Sequence, residues 1–143
     1  MKSRGGPARQ LWYVTYDAEG DRGTESWHWT VVAHREASDR WIARGVAGGG
    51  GVGTFPLRGF PWANLGGNWG PDGFRAGGTV EDAGRRVVRV RLTDRQGRTF
   101  EDTVDHGVVL FMSDEAVTMP MRLEVIDAEG RVVSSDEWGF VDE

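Results

Sequence analysis

Residues 87–104 read VVRVRLTDRQGRTFEDTV, and this stretch predicts a β-hairpin. Apolar and polar residues alternate on both sides of Asp94-Arg95-Gln96-Gly97, in which the Asp carboxylate caps a turn and Gly takes the left-handed position of a three-residue loop. A loop of this length leaves one face of the hairpin mostly apolar, as burial of that face requires. Asp102 breaks the apolar pattern, and it lies either near the sheet edge or in a hydrogen bond. The register pairs Leu92 with Phe100, Val90 with Asp102, Val88 with Val104, Arg91 with Glu101 and Arg89 with Thr103.

The same Asp-to-Gly turn signature recurs at residues 17–20 and 127–130, which predicts two further hairpins. The first pairs Tyr13 with Glu25 and Leu11 with Trp27, and the last pairs Val125 with Val133, Leu123 with Ser135 and Arg122 with Asp136. A long strand then covers residues 24–34. Its period of two places Trp27, Trp29 and Val31 on one face, which we assign to the core.

Apolar residues recur at i, i+2 throughout the chain, and glycine or proline interrupts nearly every window long enough for a helix. The fold class is therefore all-β, an antiparallel β-sandwich of about seven to nine strands, immunoglobulin-like or related. Residues 1–10 are expected to be disordered or extended, and residues 11–143 to form a single domain. Residues 45–78 are rich in Gly, Pro and Trp, and we expect this segment to be irregular, with Pro56 and Pro61 in loops or edge strands.

Composition and charge exclude several classes of protein. The 22 acidic and 17 basic residues give a net charge of -5, which is opposite to the charge of a typical nucleic-acid-binding protein. The chain has no cysteine, so disulfides and thiolate metal sites are excluded. No apolar run approaches the ~20 residues of a membrane span, so no membrane insertion is expected. A cytoplasmic location is the expectation, unless an export signal has been removed.

No motif predicts catalysis, a metal or a cofactor. Residues 48–53 formally match the glycine pattern of dinucleotide-binding proteins, but residues 54–61 contain two prolines and cannot supply the helix that holds the pyrophosphate, so a loop is expected. Asp17, Glu19 and Asp21 fit turn capping better than a calcium loop. The spacing of His28, His34 and His106 does not favour a shared metal. The remaining acidic pairs are assigned to solvated surface: Asp114 and Glu115, Glu101 and Asp102, Asp136 and Glu137.

The seven tryptophans exceed what the core of one small sandwich needs, so some are expected near the surface. Residues 60–71 combine two of them with the only two asparagines of the chain and with several glycines. Such a loop either binds a partner or ligand, or folds back to plug one end of the sandwich. On the first alternative, the predicted ligand-binding or partner-binding residues are Phe60, Trp62, Asn64, Asn68 and Trp69.

The strand and turn sequences of the C-terminal half resemble those of uncharacterised, immunoglobulin-like β-sandwich proteins of actinobacteria. The residues that carry this resemblance lie at 78–80, 87–97, 104–111 and 125–133. All of them belong to predicted framework strands and turns. The resemblance therefore implies a sandwich fold and brings no catalytic residues with it.

The sequence favours a non-catalytic binding module over an enzyme. The leading hypothesis is protein–protein interaction, with another protein or with a second copy of the chain, through the Gly/Trp-rich loop or a strand edge. The alternative is a carbohydrate-binding or small-ligand-binding module that uses exposed Trp side chains, and an uncharacterised enzyme ranks third. Coplanar exposed indoles would favour sugar binding, an apolar patch or symmetric contact would favour protein association, and a histidine with two carboxylates in one pocket would favour an enzyme.

Overall fold

The structure is a computed structural model that describes residues 2–6, 9–52 and 58–140. These residues form eleven antiparallel strands and no helix. The strands are β1 (Lys2–Gly5), β2 (Arg9–Gly20), β3 (Gly23–Arg35), β4 (Trp41–Val52), β5 (Trp62–Gly70), β6 (Gly73–Glu81), β7 (Val87–Thr93), β8 (Thr99–Thr103), β9 (Val108–Ser113), β10 (Met121–Asp127) and β11 (Val132–Trp138).

The strands make three sheets, which stack as three layers. The first sheet has the order β1-β2-β3-β4, the second β5-β6-β9 and the third β11-β10-β7-β8. One face of the second sheet packs on the third sheet, where Phe74 and Phe111 meet Leu92 and Val125. The all-β antiparallel sandwich predicted from the sequence is confirmed, but it has three sheets and eleven described strands instead of the seven to nine strands expected. The immunoglobulin-like assignment stays a prediction.

The other face of the second sheet packs on the first sheet. Leu110 of β9 is fully buried there against Leu11, Tyr13 and Val32. Leu11 and Tyr13 alternate along β2 and Val32 lies on β3, so these residues define the inner face of the first sheet.

The central hairpin has the predicted register, with Leu92 opposite Phe100. Asp94 caps its turn as the sequence predicts: Oδ1 accepts hydrogen bonds from the amides of Gln96 and Arg98, both at 2.9 Å. Gly97 closes the turn with a φ of 84°. The prediction is confirmed because turn chemistry and apolar alternation select the same pairing.

Asp102 belongs to an edge strand and is also hydrogen-bonded, so both explanations offered for it hold. It lies on β8, the last strand of the third sheet. Its carboxylate accepts hydrogen bonds from Lys2 Nζ at 2.7 Å and from the amide of Leu110 at 2.8 Å. Asp102 therefore connects β8 to β1 and β9, which belong to the other two sheets.

The terminal hairpin has a different register from the predicted one. Asp127 caps its turn as expected, but a β-bulge follows Val125, so that Leu123 faces Asp136 rather than Ser135 and Arg122 faces Glu137. The bulge inserts one residue into β11 and displaces every later pair by one. The expected pair of Arg122 with Asp136 is therefore wrong, and Arg122 Nε instead lies 3.4 Å from Glu124 Oε1.

The first hairpin departs furthest from prediction. Strand β2 continues through residues 17–20, and the turn is Asp21-Arg22, between Gly20 and Gly23. Tyr13 therefore faces Thr30, not Glu25. Gly23, with a φ of 111°, accommodates the tight turn. This register differs from the predicted one by an odd number of residues, which places the opposite face of β3 against the core.

The assignment of Trp27, Trp29 and Val31 to the core is wrong for this reason. The inner face of β3 carries Thr30 and Val32, which are buried. Trp27 and Trp29 lie on the outer face and are partly exposed. Both faces of this strand carry apolar side chains, so alternation alone could not choose between them.

Where they are described, residues 45–78 are mostly regular rather than irregular as expected, because they contain most of β4, all of β5 and much of β6. Glycine conceals strands from pattern analysis because it has no side chain to alternate. Strand β6 has sheets on both sides and needs small residues: a Cβ on Gly77 would lie 2.7 Å from Leu110 Cδ2. Pro61 directly precedes β5, whereas Pro56 lies outside the described residues.

Residues 1–10 also contain regular structure where they are described. Lys2–Gly5 form β1, which pairs with β2, and β2 begins at Arg9.

Candidate functional site

The outer face of the first sheet concentrates aromatic side chains from two neighbouring strands. Trp12 and Tyr16 come from β2, and Trp27 and Trp29 from β3. The β2–β3 register places Tyr16 directly opposite Trp27 and Trp12 opposite Val31. Tyr16 is 48% exposed and the three tryptophans are partly exposed. We call these four residues the aromatic face.

Glycines in β4 make room for the Trp29 indole against the sheet. Gly48 is the cross-strand partner of Trp29, and a Cβ on Gly48 would lie only 2.5 Å from Trp29 Cε3. A Cβ on Gly45 would lie 3.3 Å from the same atom. The ring thus occupies the space above β4 that side chains would otherwise fill. The described glycines of this run, which was expected to be a loop, belong to a strand at the edge of the first sheet that supports this indole.

The indoles of the aromatic face are held in place by hydrogen bonds. Trp29 Nε1 donates to Tyr16 Oη, and Trp27 Nε1 donates to Glu25 Oε2, both at 3.2 Å. The rings of Trp27 and Trp29 are parallel to within 2°, with centroids 6.4 Å apart. The hydrogen bonds satisfy the polar N–H groups of both rings and hold the two indole planes parallel.

The structure separates the five residues that the sequence predicted as a binding site. Trp69 packs edge-on against Trp138 and Phe140, with centroids 5.4 and 5.0 Å away, at the margin of the core between the second and third sheets. Asn68 is exposed, and Phe60 is 50% exposed just before β5. Only Trp62 and Asn64 meet, in a cleft between the first and second sheets.

This cleft has a volume of about 790 Å³. The inner face of the first sheet contributes Tyr13, His28 and Thr30, and β5 and β6 contribute Asn64 and Thr79. The His28 imidazole stacks on the Tyr13 ring, with centroids 6.1 Å apart. Several glycines complete the lining, including Gly66, Gly77 and Gly78.

Trp62, Arg58 and Glu81 form one wall of the cleft. The guanidinium of Arg58 lies 3.7 Å from the centroid of the Trp62 ring. Glu81 accepts hydrogen bonds from Trp62 Nε1 at 2.8 Å and from the amides of Arg58 and Gly59, both at 2.9 Å. The amide of Arg58 is the main cause that lowers the pKa of Glu81, so this carboxylate is ionised at neutral pH.

Within the described residues, no three His, Asp or Glu side chains lie close enough together to hold a metal ion. His34 and His106 are both exposed, and His106 Nδ1 lies 2.7 Å from Asp105 Oδ1. The part of the chain that the structure describes also contains no helix long and apolar enough to span a membrane.

Comparison of the chain with protein-family models, with curated proteins and with solved structures found no match. The resemblance to actinobacterial sandwich proteins therefore stays a prediction. The function is inferred from the geometry of the aromatic face and the cleft. The signal that sequence reasoning missed is the Gly20-Asp21-Arg22-Gly23 turn. This turn sets the register that turns Trp27 and Trp29 outward and brings Tyr16 beside them.

Proposed function

We propose that the chain is a non-catalytic carbohydrate-binding module whose aromatic face stacks on a neutral polysaccharide. The observation that carries this proposal is the parallel pair of Trp27 and Trp29, whose ring planes differ by 2°. A sugar ring has a flat apolar face made of C–H groups, and that face is complementary to an indole. Two parallel indoles in a row on one strand suit an extended chain of such rings.

The fixed orientation of the indoles supports the proposal. Binding to mobile side chains costs roughly 0.5–1.5 kcal/mol for each side chain that becomes ordered. The hydrogen bonds to Glu25 and Tyr16 and the glycines beneath Trp29 fix these rings before a ligand arrives. The net charge of -5 disfavours acidic polysaccharides, so a neutral chain is the better partner.

The state of the carboxylates supports binding rather than catalysis. A glycoside hydrolase needs two carboxyl groups on either side of one bond, one of them protonated. Glu81 is the only carboxylate among the described residues that line the cleft, and hydrogen bonds keep it ionised. Glu25 is hydrogen-bonded to Trp27, and Asp102 is held by Lys2 and Leu110.

The test is retention of the purified chain on insoluble cellulose and chitin, measured as the fraction removed from solution. We expect Trp27→Ala and Trp29→Ala each to weaken binding at least fivefold, since stacking on one aromatic ring is worth about 1 kcal/mol or more. Phe60→Ala is the matched control, because Phe60 is an exposed aromatic residue outside the aromatic face. No retention on either polymer, or loss of retention in Phe60→Ala alone, would contradict the proposal.

Protein association is the second candidate, and the position of β4 favours it. Among the described strands, β4 is an edge of the first sheet, and such an edge offers backbone groups to another strand. Sedimentation at increasing protein concentration separates the two candidates. If the chain dimerises and the Trp29→Ala variant does not, the aromatic face is a protein contact. If the chain is a monomer that binds polysaccharide, the carbohydrate-binding proposal is supported.

A further inference from the structure

The cleft behind the aromatic face is lined by two hydroxyl-bearing side chains of the first sheet. Tyr13 is 3% exposed and Thr30 is 2% exposed, and both line the cleft. They are cross-strand partners on β2 and β3, so they lie side by side on the inner face of the first sheet. Polar groups that converge on one cavity are typical of small-molecule sites, so a molecule that enters the cleft can bind to these two hydroxyls.

The opposite wall carries further uncharged hydrogen-bonding groups. Asn64 and Thr79 are cross-strand partners on β5 and β6 and line the same cleft. The four side chains can both donate and accept hydrogen bonds, as binding a ligand rich in hydroxyl groups requires. Burial raises the pKa of Tyr13, so its hydroxyl keeps its proton at neutral pH.

The charges that line the cleft oppose each other. Arg58 lies over the Trp62 ring, and the Glu81 carboxylate accepts hydrogen bonds from that indole and from the Arg58 amide. The two charges offset one another, so the wall selects neither a cation nor an anion. The volume of about 790 Å³ falls in the range of sites that enclose small-molecule ligands, roughly 300–1,000 Å³.

We propose that this cleft is a second ligand site, which takes an uncharged, hydroxyl-rich small molecule of the size of a disaccharide. Tyr13 and Thr30 bind it from the first sheet, and Asn64 and Thr79 bind it from the second. Trp62 provides an apolar contact beside them. The proposal does not depend on the aromatic face, which lies on the opposite side of β2 and β3.

The experiment is calorimetric titration of the full chain with trehalose, maltose, cellobiose and lactose, each up to millimolar concentrations. We expect one of them to bind with one-to-one stoichiometry. Tyr13→Phe and Thr30→Val each remove one hydroxyl and keep the side-chain shape, and each should weaken binding about fivefold, the equivalent of one hydrogen bond. Thr99→Val, at an exposed position on β8, is the matched control and should bind unchanged.

Thermal unfolding of the same variants separates a ligand site from a structural role. If these hydroxyls bind a ligand rather than another part of the protein, Tyr13→Phe and Thr30→Val should keep or raise the melting temperature. Trp29→Ala should retain disaccharide binding, which distinguishes this proposal from that for the aromatic face. Absence of binding by all four disaccharides, binding unaffected by both cleft variants, or a lowered melting temperature in both would overturn the proposal.

Discussion

Gly48 is the residue on which the position of the Trp29 indole depends. Its missing side chain leaves room for the ring, and a Cβ there would approach both Trp29 Cε3 and the His28 carbonyl oxygen, at 2.5 and 2.6 Å. Gly49, the next residue, points to the other face of the sheet. A Cβ on Gly49 would make only an ordinary contact, 3.7 Å from the His28 ring. Substitutions of these two neighbouring glycines by alanine therefore provide a test and its matched control.

We expect Gly48→Ala to displace the Trp29 indole and to destabilise the protein by about 1–3 kcal/mol, the usual consequence of overpacking. Gly49→Ala should leave stability unchanged or raise it, because alanine is favoured over glycine within a strand by roughly 0.5–1 kcal/mol. Urea unfolding gives the two free energies, and near-ultraviolet circular dichroism reports the indole environment. Equal effects of the two substitutions would contradict the role assigned to Gly48.

At the scale of the element, two hairpin turns depend on one buried carboxylate each. Burial alone would raise the pKa of Asp94, but hydrogen bonds from the amides of Arg98, Thr118 and Gln96 and from the Arg98 side chain outweigh it, so the pKa is lowered. The amide of Arg131 is the main cause that lowers the pKa of Asp127. Each ionised carboxylate organises its own turn.

These lowered pKa values predict the direction of acid destabilisation. An unfolded Asp titrates near pH 3.9, so the stabilisation is complete above that pH and is lost as the pH falls towards the lower folded values. Asp94→Asn should lower the free energy of unfolding at pH 7 by about 1–3 kcal/mol and flatten its decline in acid. Melting temperatures measured from neutral pH downward test this. Asp21→Asn, at an exposed turn, is the control and should keep the wild-type decline.

At the scale of the whole molecule, Lys2 joins the three sheets. Its ammonium group donates hydrogen bonds to Asp102 Oδ2 and to the carbonyl of Thr103 on β8, both at 2.7 Å. A third bond reaches the carbonyl of Val108 on β9, at 3.1 Å. The side chains of Lys2 and Asp102 are each only 14% exposed, so water screens this pair less than an ion pair on the surface.

A double-mutant cycle with Lys2→Ala and Asp102→Ala should give a coupling free energy above about 1 kcal/mol. The same cycle on Arg35 and Asp39, an ion pair of equal length with both side chains well exposed, should give about 0.3–0.5 kcal/mol. Urea unfolding of the four variants in each cycle provides the measurement. Equal coupling in the two cycles would show that Lys2 is not a structural link between the sheets.

Most of the hairpin features that could be predicted from the sequence depend on the residues of the turns. The central hairpin was predictable because Asp94 and Gly97 act on neighbours only a few residues away, and because one face of β7 is clearly more apolar than the other. The terminal hairpin has the same turn chemistry, but its bulge depends on packing and could not be read from the turn. Of the five predicted binding residues, Trp62 and Asn64 line one cleft, whereas Trp69 packs at the margin of the core.

The sequence by itself determined the all-β class, the Asp-to-Gly turns and the register of the central hairpin, since these depend on contacts within a short stretch of chain. Only the tertiary structure decided which face of β3 is buried. Both faces of this strand carry apolar side chains, Trp27 and Trp29 on one and Val32 on the other, so the local pattern does not identify the buried face. Packing of Leu110, some eighty residues away in sequence, against Val32 turns the indoles outward. The glycines were also hard to interpret from sequence. Only the folded structure shows which neighbouring side chain fills the space that each glycine leaves free.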